Sequence, residues 1–252
     1  MKLTILGCGT SSGVPRIGDI WGACDPNNPK NRRSRASIAV ETSNTCLIVD
    51  SSPDFREQCL KNGINHLDAI LYTHDHADHV HGIDDLRGFM LINQGVRVQA
   101  YADKRTYDQL TSRFSYIFQN QDNYPAIAEG HVINGPFQVG DIDVVPFRQD
   151  HGAIDSLGFR FGSFAYSTDL VGLDEAAFQV LAGVDTWVVD ALRYKPHPTH
   201  AHLAMTLDWI ERVKPRRAIL THMTWDMDYE TLMSELPHGV EPAFDGMVIE
   251  ID

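Results

Sequence analysis

Cysteine is scarce in this chain and nowhere paired. Cys8, Cys24, Cys46 and Cys59 are all there are in 252 residues, and no CxxC spacing occurs. That excludes a disulfide framework and favours reduced thiols. Long apolar runs are missing too. No stretch approaches the roughly 18 residues that span a bilayer, and the short apolar opening is too brief for a secretory signal. A cytoplasmic protein with no membrane partner is expected. Positive charge is in deficit, with 21 Lys and Arg against 34 Asp and Glu and a net charge of −13. Polyanions are normally met by a basic footprint, so a small molecule is the expected partner and a large nucleic acid the less favoured one. Repeats, low-complexity tracts and linkers are also lacking, which leaves a single domain over 1–252 as the simplest organisation.

What is present is an ordinary globular composition, 43% hydrophobic and 22% charged, on a chain long enough to bury a full core. Short apolar runs at Leu3–Leu6, Ser37–Val40, Cys46–Val49, Ala69–Tyr72, Arg97–Tyr101, Ile142–Phe147, Gly158–Phe161, Phe164–Tyr166, Thr186–Val189 and Arg217–Leu220 predict strands. Helical patterns cover Phe55–Asn62, Lys104–Phe118, Asp174–Ala182, Leu203–Val213 and Tyr229–Leu236. Strands come partly in hairpin-like pairs and partly alternate with helices, which suggests helices packed outside two sheets.

The chemistry concentrates in Thr73-His-Asp-His-Ala-Asp-His79, directly after the strand-like Asp68–Tyr72. Residues two apart in an extended segment point the same way, so His74 and His76 can converge on one metal. Asp78 and His79 follow at the expected start of a helix and can face a second metal. Imidazole and carboxylate are the usual ligands of catalytic zinc and also suit manganese or iron. Further candidates stand where the chain leaves later strands: His151 after Val144–Phe147, Asp169 ending Phe164–Asp169, and His222 ending Ala218–His222. Such positions lie at a sheet rim, where a rigid scaffold can aim them into a shared pocket. Taken singly, each could also be a satisfied rim histidine or a capping aspartate. With the first cluster they make two three-ligand sets and one carboxylate left over.

These residues resemble the HxHxDH signature and following ligands of the metallo-β-lactamase superfamily, over nearly the whole chain. The resemblance implies an α/β (α+β) fold, a four-layer αββα sandwich with metals at one edge of the two sheets. It implies two divalent cations, Zn or Mn. His74, His76 and His151 would hold the first, Asp78, His79 and His222 the second, with Asp169 bridging them. A homodimer is also what the resemblance suggests.

Two segments tilt the substrate expectation. Gly7-Cys-Gly-Thr-Ser-Ser-Gly-Val-Pro15 resembles the opening of the phosphodiesterase branch that includes tRNase Z and PhnP-type enzymes. Gly9 and Gly13 permit tight turns there, and their exposed amides could approach an anion; a plain turn beside the first strand is the alternative. His197-Pro-Thr-His-Ala-His-Leu203 resembles a PhnP-like pattern that makes His200 the general acid or leaving-oxygen donor. His197 and His202 read as exposed loop residues. His200 and Asp78 form the expected catalytic pair, with Asp75 and Asp50 as candidates to orient ligands from behind, or else as ordinary capping or surface acids. One departure stands out. PhnP-like enzymes carry a cysteine-rich structural zinc site around residues 16–37, but only Cys24 is present and Trp225 stands where the site's histidine is expected. That zinc is not expected, and packing should hold the loop. Arg32, Arg33 and Arg35 could meet phosphate, although a solvated loop is the expectation for at least two of them.

The expected function is a binuclear metal-dependent hydrolase, a phosphodiesterase for a small cyclic nucleotide or ribose phosphodiester, attacking through a hydroxide that bridges the metals. The alternatives are a tRNase Z-like endoribonuclease, a glyoxalase II-like thioesterase or lactonase, and a PqqB-like binding protein without activity. No basic Gly/Pro-rich insertion that would make an RNA-binding arm is visible.

Overall fold

The computed structural model describes residues 1–121 and 123–251. A first sheet uses β1 (Lys2–Gly7), β2 (Ser37–Glu41), β3 (Cys46–Val49), β4 (Ala69–Leu71), β5 (Val98–Ala102) and β6 (Ala128–Val132). A second uses β7 (Phe137–Val139), β8 (Ile142–Asp150), β9 (Asp155–Phe161), β10 (Phe164–Ser167), β11 (Thr186–Asp190), β12 (Arg217–Thr221) and β13 (Val240–Pro242). The last strand, β14 (Val248–Glu250), returns to the first sheet beside β1. The orders are β14-β1-β2-β3-β4-β5-β6 and β13-β12-β11-β10-β9-β8-β7. In the first sheet β14, β1, β2 and β3 pair antiparallel and β3 to β6 parallel, and in the second β7 to β10 pair antiparallel and β10 to β13 parallel. Parallel strands end together at one edge, the place where a sheet can collect side chains from several connections.

Among the described residues eight α-helices join these strands: α1 (Phe55–Asn62), α2 (Ala77–Val80), α3 (Leu86–Ile92), α4 (Lys104–Arg113), α5 (Ser115–Phe118), α6 (Glu175–Leu181), α7 (Leu203–Val213) and α8 (Tyr229–Glu235). The layering follows from the period-two pattern of the first sheet. Leu47 and Val49 of β3, with Ala69 and Leu71 of β4, pack into one core together with Phe159, Phe164 and Tyr166 of the second sheet. Their neighbours Ile48 and Ile70 face the other way, into a separate core with Phe55, Leu86 and Leu110 of the helices. Burial on both faces is why Cys46–Val49 and Ala69–Leu71 are unbroken apolar runs. Ala177, Leu181, Leu203 and Leu232 of α6, α7 and α8 cover the second sheet, completing the αββα sandwich. Among the described residues no helix is long and apolar enough to cross a membrane.

Two departures from expectation have local causes. The expected helix Lys104–Phe118 is two helices, because Phe114 leaves helical geometry at φ −124°, ψ 45° and its ring packs against the helix-side core. The three-residue strands β7, β13 and β14 are too short to show a periodicity, and β6, Ala-Glu-Gly-His-Val, mixes polar and small residues where an apolar run would announce a strand.

Candidate metal centre

All seven residues expected to bind metal meet at the edge where the parallel strands end. His74, His76 and the Asp78–His79 pair follow β4, His151 follows β8, Asp169 follows β10 and His222 follows β12. Their ligand atoms form two groups, His74, His76, His151 and Asp169 in one and Asp78, His79, Asp169 and His222 in the other, each drawn within 4.8 Å. Asp169 is common to both and divides its oxygens between them. Its Oδ2 lies 3.8 Å from His74 Nε2 and 3.7 Å from His151 Nε2. Its Oδ1 lies 3.1 Å from His79 Nε2 and 3.4 Å from His222 Nε2.

The backbone helps to aim these side chains. Asp50, Asp169 and His222 have φ of 65°, 55° and 58°, a left-handed conformation that Asp and His adopt more readily than most residues and that often marks functional turns. The turn at the end of each strand swings the side chain over the sheet edge. Asp50 then works from behind. Its Oδ1 accepts the Thr73 N–H at 2.8 Å, and its Oδ2 accepts the Thr73 hydroxyl at 2.8 Å and the His79 Nδ1–H at 2.7 Å. With Nδ1 protonated, His79 presents the Nε2 lone pair to the cluster. His151 is fixed in the same sense by donating from Nδ1 to the Thr199 carbonyl at 2.8 Å.

Does this set fit a metal? His74 Nε2, His79 Nε2 and His222 Nε2 are buried without a hydrogen-bond partner, although buried polar atoms are otherwise almost always satisfied. They face carboxylate oxygens, from 3.1 Å at His79 to 3.8 Å at His74, without making a hydrogen bond. Mixed imidazole and carboxylate donors converging in this way suit a divalent cation. The electrostatics agree. Burial works against a charge on His79, but Asp169, Asp78 and Asp50 outweigh it and hold its pKa well above the usual range. His222 likewise resists burial under the pull of Asp169 and Asp78, reaching about 9. Burial raises Asp169 and Asp78, yet the surrounding imidazoles bring both carboxyls well below their ordinary values. The carboxylates favour positive charge at this point, whether carried by protons or by a cation.

His200 stands beside the cluster, mostly buried, with Nδ1 3.1 Å from Asp190 Oδ2 and 3.9 Å from Asp169 Oδ2. Asp190, wholly buried at the end of β11, is the residue that sequence reading missed. Its signal was available, since an acid closing an apolar strand is also what singled out Asp169. Its other oxygen is unpartnered and lies 3.9 Å from His222 Nδ1. His197 and His202, expected in exposed loops, are half-buried; His197 packs 5.1 Å from the His200 ring and His202 precedes α7 as its N-cap.

The arginines of the 16–37 loop, at least two of them expected in solvent, are mostly drawn into the packing that holds the loop. Only Arg32 of the three arginines is exposed, its guanidinium 5.0 Å over the Trp21 ring. Arg35 pairs with Asp54 at 2.9 Å. Arg33 is 1% exposed and bonds the carbonyls of Thr224 at 3.1 Å and Met227 at 2.6 Å, with Cys24 Sγ at 3.9 Å. A buried guanidinium therefore ties this loop to the segment after His222, while the Trp225 ring fills the space over Gly22. The glycine-rich opening is a turn and no open anion cradle at its glycines, because the N–H groups of Gly9, Thr10, Gly13 and Val14 bond to Ser34, Met223, Thr10 and Arg33 carbonyls.

Comparison with known proteins agrees with this architecture. The model of the family described as the beta-lactamase superfamily domain matches residues 45–223. Among solved structures, a diphosphatase from the PhnP family is 38% identical with a TM-score of 0.91, covering 100% of this chain and 98% of that one. Among curated proteins, an octanoyltransferase of Porphyromonas gingivalis is 32% identical over 259 residues, 100% of this chain but 52% of its own length. A ribonuclease Z of Bradyrhizobium diazoefficiens is 30% identical over 144 residues, 54% of this chain and 46% of its own. The chain spans about half the length of the curated relatives it matches. Sheet order, strand-end cluster and family match together place the chain in the beta-lactamase superfamily, with the metallo-β-lactamase fold and a PhnP-like kinship.

Proposed function

We propose that the chain is a phosphodiesterase that hydrolyses a small nucleotide or ribose phosphodiester with two divalent cations, zinc or manganese. The observation that carries this reading is the shared Asp169, whose two oxygens face two separate imidazole groups. His74, His76 and His151 would hold one cation, Asp78, His79 and His222 the other, and Asp169 both. When bound, such a pair supplies an activated water and neutralises charge on phosphoryl oxygens.

The chain's own residues do the rest. Asp190 accepts the Nδ1–H of His200 and fixes its ring; as the imidazolium, His200 carries a second proton on Nε2, and this is the one it can pass to the departing oxygen. Asp50 and Thr199 hold His79 and His151 in the tautomers that turn Nε2 inward. The kinship to a PhnP-family diphosphatase supports chemistry at phosphorus over a thioester. The octanoyltransferase name belongs to a protein about twice as long, and acyl transfer finds no support here: among the described residues the His/Asp cluster contains no cysteine, and all four cysteines are buried elsewhere.

The test is a panel of bis-p-nitrophenyl phosphate, a ribose cyclic phosphate, precursor tRNA and S-lactoylglutathione, assayed with zinc or manganese. Turnover of the small phosphodiesters is expected. Efficient cleavage of precursor tRNA would instead favour the nuclease reading, which the ribonuclease Z kinship motivates. His200→Ala should lower turnover roughly 10²–10⁴-fold with metal content unchanged. Loss of metal in that variant would show that His200 is a ligand.

A further inference from the structure

Residues 73–76 alternate in direction, and each side has its own anchor. His74 and His76 face the cluster. Thr73 faces back to Asp50, and its carbonyl accepts the Leu157 N–H at 2.9 Å. Asp75, between the two histidines, is 2% exposed and takes two arginines from α4. Arg105 binds Oδ1. Arg113 reaches Oδ2 at 2.6 Å and the Asp75 carbonyl at 2.7 Å, so its fork fixes side chain and main chain together. The helix that carries them is rigidly set. Asp103 caps it through the Thr106 N–H at 2.7 Å, and Thr106 and Leu110 are buried. Arg105, Gln109 and Arg113 share one side at four-residue spacing, with Gln109 Oε1 accepting from Arg113 at 3.2 Å.

His76 needs this support more than its fellows. It is exposed, while His74, His151, His79 and His222 are buried, and among the described residues its ring meets only His151 Nε2, at 3.3 Å from its Nδ1 within the cluster, with no hydrogen bond from behind. Its place is set by the backbone that Arg113 grips one residue earlier. We infer that Asp75, Arg105 and Arg113 are positioning residues that set the affinity of the cation held by His74, His76 and His151, and leave the other cation's affinity alone. This rests on the two-cation reading above. Partners behind a ligand commonly matter this much, their removal costing roughly 10–100-fold in metal affinity.

The experiment is a zinc titration against a competing chelator, on the full chain, with metal content and thermal unfolding measured in parallel. Wild type should hold two equivalents. In Asp75→Asn and in the Arg105→Met/Arg113→Met pair, one equivalent should weaken roughly 10–100-fold while the other moves less than about threefold, and the weakened one should be the equivalent that His76→Ala removes. Arg113→Lys, which keeps helix and charge but lacks the fork, should weaken the same equivalent. Two wild-type affinities in the paired variant, or equal weakening of both, would overturn the inference while the two-cation reading stands. A wild-type protein that binds no zinc or manganese would overturn both.

Discussion

Charge is buried in two regions of this molecule, and they treat it differently. At the strand-end cluster, imidazoles and carboxylates crowd together and three Nε2 atoms are left unbonded. In the seat under the 8–37 loop, charge is used up within the chain. Both Nη atoms of Arg33 are bonded, with only its Nε unpartnered. Asp245 accepts from Ser34 N–H at 2.7 Å, Ser34 Oγ at 2.6 Å and Cys8 N–H at 3.1 Å. The difference separates a site from architecture. A buried polar group that closes its own hydrogen bonds holds the fold, whereas a set of them that converges and stays open is arranged for something from outside.

The largest expected effect tests the open region. Asp169→Asn keeps a residue that tolerates φ of 55°, so the turn should survive while one charge and one acceptor are lost. Metal stoichiometry should fall, and turnover with it, on the order of 10³-fold or more. Circular dichroism should still report a folded protein. A variant that keeps two metals and near-normal turnover would mean that the carboxylate does not join the two groups, and the contrast between open and closed regions would lose its main example.

A smaller effect is expected one layer back. Asp50→Asn also suits its φ of 65° but cannot hold both Thr73 and His79 as the carboxylate does. Burial raises the Asp50 pKa, and the adjacent His79 and the bonds from Thr73 pull against it. Affinity for the metal on His79 should drop roughly 10–100-fold in a chelator competition, with a smaller loss at the His76 equivalent, which Asp50 reaches only through the Thr73 hydroxyl and its 2.9 Å bond to His74 Nδ1. Together with the Asp75 variants, this would show whether the two halves of the 73–79 segment are anchored independently.

Much of this contrast was legible before the fold was known, and its gaps have physical reasons. Thr73–His79 could be read because four ligands share one segment after an apolar strand, and Asp169 and His222 because each ends a run of buried residues. The αββα layering was implied by the resemblance that the 74–79 motif carries, and its physical reason is the double-sided burial of Ile48 and Ile70 against Leu47, Val49 and Leu71. Arg33 could not be read, since an Arg-Arg-Ser-Arg run resembles solvated surface until the 224–227 carbonyls arrive from nearly two hundred residues away. Shorter separations hid Asp75's partners, 30 and 38 residues downstream on a helix whose basic residues suit an exposed face equally well.

The smallest effect on the metal site is expected from the closed region, where stability should respond instead. Burial raises Asp245 from 3.8 to about 6, against the pull of its bonds from Ser34 and Cys8. A carboxyl whose folded pKa lies above its unfolded value binds more protons in the folded state. Its charge therefore costs nothing below about pH 4 and is progressively destabilising as pH rises through 6. A shift of about two units corresponds to about 3 kcal/mol once the group is fully ionised. Asp245→Asn removes that titration at the cost of one acceptor. Denaturant unfolding of both proteins from pH 4 to 8 should show wild type losing about 3 kcal/mol relative to the variant across this window, while metal content and turnover per folded molecule stay level. A pH-independent difference would mean that folding leaves the Asp245 pKa unshifted. A loss of metal would mean that the loop seat and the strand-end cluster are mechanically one unit.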